Sequence, residues 1–286
     1  MRIYLSLTIL VFFLTSCTKK NEETPKIPEK PRLEVKKEIP KPDTGLYSKY
    51  YLSGTKSLSD LSDQIGKSGM FIVFKINRRD LKHLKEGETI IIPNRGDSEM
   101  TYSPYPQHVT KLDSVKKVLF VSRRVQAFAA YDSGKLVRWG PTSTGKKATP
   151  TPAKLFYTNW KSLDTHSTVD EAWELKWYFN LDNLEGISLH EYDLPGYPAS
   201  HSCIRLLSED AEWIYYWADQ WKLSGDRKTV AENGTPVVIF GDYAYGKTAS
   251  WKKLAADPRA TDIPEEELDS AIVKYLPQKK VQLSGQ

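Results

Sequence analysis

Cys203 stands in the run Ser200-His201-Ser202-Cys203-Ile204-Arg205-Leu206, thirteen residues after His190. A thiolate is a far better nucleophile than a thiol, and a neighbouring imidazole that accepts the proton is the commonest way to make one near neutral pH. The pair therefore points to acyl transfer on cysteine, with Cys203 as nucleophile and His190 as base. Two other readings use the same residues. Zinc could take His190, His201 and Cys203 as three protein ligands, but the spacing matches no familiar zinc signature and a metal would silence the thiol. Cys203 could also be a buried, inert cysteine beside two structural histidines.

The elements that must carry these groups are legible nearby. Ile187-Ser188-Leu189-His190 reads as a strand delivering His190 to a loop, Glu191 to Ala199, that holds Pro195, Gly196 and Pro198. Upstream, Lys117 to Ser122 and Val125 to Tyr131 are strand-like, Asp132-Ser133-Gly134 makes a turn, and Leu136 to Trp139 returns, as in a β-meander. Downstream, Ser208 is the expected N-cap of a helix with acids in its first turn. Its stripe of Trp213, Trp217 and Trp221 recurs at helical spacing, and Gly225 marks its expected end. Gly234 to Phe240 is the expected closing strand. The tail predicts a further helix capped by Thr261 or Asp262, with Pro264 early and Leu268, Ile272 and Leu276 on one face.

The N-terminal part is of a different character. Arg2 followed by an apolar run from Ile3 to Leu14 is too short to span a bilayer and has the layout of a secretion signal. It ends in Leu14-Thr15-Ser16-Cys17, which resembles a bacterial lipobox and implies lipidation of Cys17; the alternative is an ordinary signal peptide with an incidental cysteine. With Cys17 acylated, Cys203 has no disulfide partner, and a lone thiol in an oxidising compartment favours catalytic use over a structural one. From Thr18 to Gly45 the chain is Lys, Glu and Pro with almost nothing apolar, a composition that predicts a disordered tether. Fully extended, such a segment reaches at most about 85 Å.

Residues 46–97 predict a small module. Leu58 to Ile65 has amphipathic helical spacing, and Lys75 to Pro93 resembles the second half of a LysM module, in which a helix and an Asn lead into a strand closing a small sheet. The resemblance implies binding of N-acetylglucosamine-containing glycan, although the first half lacks that family's usual opening strand; a plain packing subdomain is the other reading. Asp97 to Pro106 is turn-rich and reads as the boundary before the main domain.

Two motifs together resemble the L,D-transpeptidase catalytic domain. The first is Gly140-Pro141-Thr142-Ser143-Thr144-Gly145 with Thr149-Pro150-Thr151-Pro152-Ala153-Lys154-Leu155-Phe156, where Ala153 stands in place of a usual Gly. The second is His190, a variable loop, then Ser200 to Arg205, complete except that Ser202 replaces a glycine. Gly234-Thr235-Pro236-Val237-Val238-Ile239 adds the family's terminal strand, and the resemblance runs from about Lys117 to Gly241. It implies Cys203 as nucleophile, His190 as base oriented by the backbone carbonyl of Glu191, and His201 shaping the thiol's surroundings. Backbone N–H groups around His201, Ser202 and Cys203 would then form the oxyanion hole. Arg205, with Ser200, is a candidate for substrate binding, Arg205 holding a substrate carboxylate or pairing with a local acid.

The expected fold is α+β and mainly β: an L,D-transpeptidase-type β-sandwich over residues 110–245 with a helix after the nucleophile, a LysM-like module at 46–97 and a helical tail at 246–286. The signal is expected over residues 1–16 and the lipidated cysteine with its tether over residues 17–45. The implied reaction is a Cys thioester with a peptidoglycan stem peptide, release of D-Ala and transfer to an amine, giving a 3-3 cross-link. Water as acceptor would make an L,D-carboxypeptidase and an amine on a protein an anchoring enzyme; a non-catalytic wall-binding lipoprotein is the further alternative. The expected setting is a monomer in the bacterial periplasm, anchored at the outer membrane by lipidated Cys17. Composition is compatible with that. A net charge of +5, falling to +4 without Arg2, gives no basic stripe for nucleic acid. No cofactor or metal is implied, and neither a nucleotide-binding phosphate loop nor a serine-hydrolase elbow occurs.

Overall fold

The computed structural model describes residues 45–276 except 55–56, 97 and 168–170. The expected signal peptide, Cys17 and most of the tether lie outside the described residues. In chain order the elements are β1 (Tyr47–Tyr51), α1 (Ser57–Asn77), β2 (Thr89–Pro93), β3 (Lys117–Ser122), β4 (Ala127–Asp132), β5 (Lys135–Pro141), β6 (Leu155–Tyr157), β7 (Lys161–His166), β8 (Glu174–Asp182), β9 (Ile187–Glu191), β10 (Ile204–Leu206), α2 (Ser208–Trp217), β11 (Lys222–Leu223), β12 (Val230–Glu232), β13 (Pro236–Phe240) and α3 (Glu265–Tyr275). Among the described residues it is a mainly β fold with three α-helices.

Two sheets make the sandwich. One has the order β5-β4-β3-β13-β6, with β13 parallel to β3; the other has the order β10-β9-β8-β7, with β10 parallel to β9. Alternation along each central strand divides the core. Leu119, Val121, Phe128, Ala130, Val237 and Ile239 face the second sheet, where they meet Phe179, Leu181, Ile187, Leu189 and Ile204, with Ala211 and Ile214 of α2 closing the layer. Val118, Phe120, Ala129, Val238 and Phe240 point the other way, against Ile72 and Ile76 of α1 and Leu268 and Ile272 of α3. The five-stranded sheet is thus buried on both faces, which is why Val118-Leu119-Phe120-Val121 and Val237-Val238-Ile239-Phe240 are apolar at every position rather than at every second one.

The N-terminal elements therefore form one compact unit with the sandwich. β1 and β2 pair antiparallel, Tyr47 opposite Pro93. The helix α1 runs well beyond the stretch expected from Leu58 to Ile65 and breaks at Gly66, whose φ of 70° only glycine adopts without strain. Asn77 closes this piece by taking the N–H of Ile91 (2.9 Å) and donating to the carbonyls of Ile91 and Val73 (2.7 and 2.8 Å).

The seam with the sandwich is polar at its centre. Lys75, fully buried, donates to Trp139 O (2.7 Å) and pairs with Glu99 (2.9 Å) and Asp210 (3.7 Å). Arg138 reaches Asp210 from the other side at 2.7 Å. Arg78 donates to Val125 O (2.8 Å), its guanidinium lying between the rings of Trp139 and Trp251, and burial lowers its pKa to about 10. Such charges stay buried only while paired; removing one partner costs about 3–5 kcal/mol. The turn-rich stretch expected as a boundary is woven into this seam, for Tyr105 donates to Ala127 O (2.9 Å) and accepts from Ser122 N (3.0 Å).

Three local expectations are corrected. Leu207, not Ser208, is the N-cap of α2, without a side-chain cap; the Ser208 hydroxyl instead binds Glu191 Oε2 at 2.9 Å. The helix ends at Trp217, so Trp221 is off it and Gly225 lies between β11 and β12, because Thr158 and Thr235 capture the backbone of Asp219 in place of another turn. Pro264 itself caps α3, with neither Thr261 nor Asp262 in that role, and Leu268 and Ile272 are buried as one face.

Candidate active site

His190 and Cys203 reach one cleft because β9 and β10 lie side by side in parallel, Ile204 opposite Leu189 and Arg205 opposite His190. The cleft, of about 440 Å³, is lined by His190, Cys203, Arg205, His201, Ser188 and Tyr178 among others. His190 is 3% exposed. Its Nδ1 lies 2.8 Å from the carbonyl oxygen of Glu191. A carbonyl can only accept, so Nδ1 carries the proton and Nε2 keeps a lone pair, the form a base requires.

The electrostatics hold that form. Burial drives the His190 pKa down to about 4, the bond to Glu191 opposing and the nearby Arg205 adding to the fall. The ring is neutral at any pH well above 4. The linked cost falls in acid: between about pH 6.5 and 4 the unfolded chain takes a proton that the folded ring refuses, so stability declines as pH drops through that window.

The thiol is equally neutral. Cys203 Sγ donates to Gly186 O at 3.3 Å and receives the Ser188 hydroxyl at 3.2 Å. Burial raises its pKa, with Ser188 and Arg205 pulling the other way. No hydrogen bond joins the His190 ring to this sulfur among the described residues, so the resting pair is thiol and imidazole, not thiolate and imidazolium. A neutral pair of this kind is suited to general-base transfer rather than to a preformed thiolate.

The backbone around the nucleophile is fixed from the motif at 142–151. Ser143 and Arg205 exchange backbone hydrogen bonds (3.1 Å each), Ser200 N donates to Thr144 O (3.1 Å), and Thr151 Oγ1 donates to Ser202 O (2.7 Å). Ser200 Oγ donates to Cys203 O (2.6 Å), which commits that hydroxyl to the turn. Ser202 has φ of 86°, a left-handed conformation natural to glycine that costs a serine about 1 kcal/mol. The N–H groups of His201, Ser202 and Cys203 make no backbone hydrogen bond among the described residues, so all three are available as donors.

His201 is held by a residue that the sequence reading passed over. Lys146 Nζ lies 2.8 Å from its Nε2; the ammonium donates, so His201 Nδ1 bears a proton, buried and without a partner. Trp173 covers the ring at 5.4 Å. With Nε2 of His201 taken by Lys146 and its Nδ1 protonated, the zinc alternative loses one of its three donors. Arg205 makes no ion pair among the described residues; its guanidinium sits 4.5 Å over the Tyr192 ring, open to a carboxylate in the cleft.

Other site residues were also missed. Ser188 lies two positions before His190 on the same strand face, a signal present in the sequence. Tyr178 stacks on His190 at 6.4 Å and Tyr192 meets it edge-on at 6.0 Å. The β8 to β9 register that pairs Phe179 with Leu189 puts Tyr178 there, and no local motif announces it.

Residues 116–239 match the model of the YkuD family, the L,D-transpeptidase catalytic domain. Over that stretch the chain is similar to an L,D-transpeptidase catalytic domain. Solved structures similar to it include the L,D-transpeptidase of Stackebrandtia nassauensis (21% identity, TM-score 0.36, 45% of this chain and 57% of that one). A second is the Enterococcus faecium L,D-transpeptidase (23%, 0.35, 44% and 50%), and a third is L,D-transpeptidase 3 of Mycobacterium tuberculosis (20%, 0.35, 44% and 61%). The match thus spans less than two thirds of each of those chains. No curated protein matches this sequence.

Two outcomes are expected of this domain. Iodoacetamide should alkylate Cys203 at a rate still rising above pH 9, read by peptide mass; a plateau near pH 7 would reveal a preformed thiolate and refute the neutral resting pair. In urea denaturation Ser202→Gly should stay within about 1 kcal/mol of wild type, whereas Ser202→Val, β-branched at positive φ, should lose about 1–3 kcal/mol. Equal stability for the two variants would contradict the strain at this position.

Proposed function

We propose that the chain is a peptidoglycan L,D-transpeptidase working through a Cys203 thioester. The observation that carries this reading is the His190 ring, buried, neutral and locked by Glu191 O with its Nε2 lone pair left over, on the strand beside the one that follows Cys203. Cys203 Sγ attacks the carbonyl before the terminal D-Ala of a donor stem tetrapeptide. The S–C bond forms, the proton passes to His190 Nε2 and then to the departing amine, and the C–N bond to D-Ala breaks. An acceptor amine attacks the thioester, gives its proton to His190, and the sulfur leaves as the restored thiol. Negative charge on the carbonyl oxygen is met by the N–H groups of residues 201–203, with the His201 Nδ1 proton close behind them. Arg205 binds a stem-peptide carboxylate.

The wider setting belongs to the same proposal. Cys17 is lipidated and holds a monomer in the periplasm at a membrane, through the tether. The strand, broken helix and strand over residues 47–93, with Asn77 bound to Ile91, support a LysM-like module that contacts wall glycan.

Incubation of the mature protein with wall fragments should yield linked stem peptides by mass spectrometry, and Cys203→Ala should abolish them. Trimmed stems would assign the acceptor to water, and products undiminished in Cys203→Ala would sink every cysteine mechanism. In cells, radiolabelled palmitate should enter wild type but not Cys17→Ala; equal labelling of both rejects the anchor.

A further inference from the structure

The loop joining base to nucleophile is held at its two ends by the sandwich. Tyr192 packs on His190 and under Arg205, while Ser143 Oγ donates to Tyr197 O (2.7 Å) and accepts from Ala199 N (3.1 Å). The middle of the loop, residues 193–196, is held from elsewhere. Leu194 N donates to Asp80 Oδ2 at 2.7 Å, and Asp80 N donates back to Leu194 O at 3.1 Å. Arg79 bridges Pro195 in the antiparallel sense, and Lys82 pairs with Asp193. Gly196, at φ of 89°, passes so close that a Cβ there would meet Arg79 Nε at 2.8 Å. Among the described residues the hydrogen bonds and ion pair of residues 193–196 all come from residues 79–82, just beyond α1.

Asp80 is the centre of this set. Its other oxygen, Oδ1, accepts from His83 N (3.1 Å) and faces His83 Nδ1 at 2.6 Å, so the carboxylate is fixed from its own side before it meets the loop. A charged acceptor on one backbone N–H, paired with a return bond to the same residue's carbonyl, clamps both polar groups of Leu194, whose side chain is fully buried. The Lys82–Asp193 pair is half-exposed and adds little.

We propose that Asp80 is a positioning residue for the acyl transfer: by clamping Leu194 it sets the path of the loop between His190 and Cys203, and through it the placement of Tyr192 and Arg205. This rests on the acyl-transfer reading above. Asp80 touches neither the sulfur nor the imidazole, so the thiol's own reactivity should not depend on it, whereas substrate placement should.

The test compares full-length wild type, Asp80→Ala and Asp80→Asn. In Asp80→Ala, hydrogen exchange of the peptide containing Leu194 should speed up roughly tenfold or more, with peptides of β3 and β13 unchanged. Turnover of wall fragments should lose about tenfold in kcat/KM, mostly in KM, while iodoacetamide alkylation of Cys203 stays at the wild-type rate. Asp80→Asn retains an oxygen for Leu194 N–H and should recover most of both losses. Unchanged exchange at Leu194 in Asp80→Ala overturns the clamp. So does a loss of turnover that follows the melting temperature, with Asp80→Asn no better than Asp80→Ala. A wild type that turns over no wall fragment refutes the acyl-transfer reading by itself, and the exchange comparison then decides the clamp alone.

Discussion

The parallel pairing of β9 with β10 is the constraint on which the site rests. Parallel neighbours need a crossover of a dozen or more residues, usually through a helix. Here the whole return is residues 192–203, twelve residues without a helix, so the connection is near the shortest that geometry allows. That shortness brings chemistry with it. The loop cannot swing far from the strand ends, and Cys203 arrives one residue before β10 begins, beside the strand that carries His190. Pro195, Gly196 and Pro198 fit a backbone with little slack, and the left-handed turn at Ser202 completes it.

Around that pairing the molecule supplies order in layers. β8 sets Tyr178 against the imidazole; the segment 142–151 fastens the nucleophile's backbone through Ser143, Thr144 and Thr151; α2 ties Ser208 to Glu191. The outer face of the five-stranded sheet is closed by α1 and α3, so the sandwich does not complete its own core without the N-terminal elements. Burial then does the electrostatic tuning: it pushes the His190 pKa down and the Cys203 pKa up, so both groups rest neutral.

Much of this was written in local sequence. The limits of β3 coincide with the strand read from Lys117 to Ser122, and His190 and Cys203 were visible from residue type and order. Parts of the site were not, for a common reason: Tyr178 and Trp173 reach the cleft, and Lys146 reaches His201, through strand register and long-range contact, and no spacing rule encodes either. The helix after Cys203 was overextended because its tryptophans keep helical periodicity beyond Trp217, while Asp219 is drawn away by Thr158 and Thr235. The role of the N-terminal part was underestimated although the sign was present. A run apolar at both parities, as in Val118 to Val121, asks for two covering layers, and a sandwich offers only one.

The buried Lys75 on α1 and Arg78 just beyond its end have an evolutionary corollary. Each finds its acceptor on a carbonyl of the sandwich, Trp139 for one and Val125 for the other. Genetic shuffling that transplanted the catalytic part alone, or grafted a foreign leader onto it, would strand solvent-starved cations on one product and bare an oily sheet on the other.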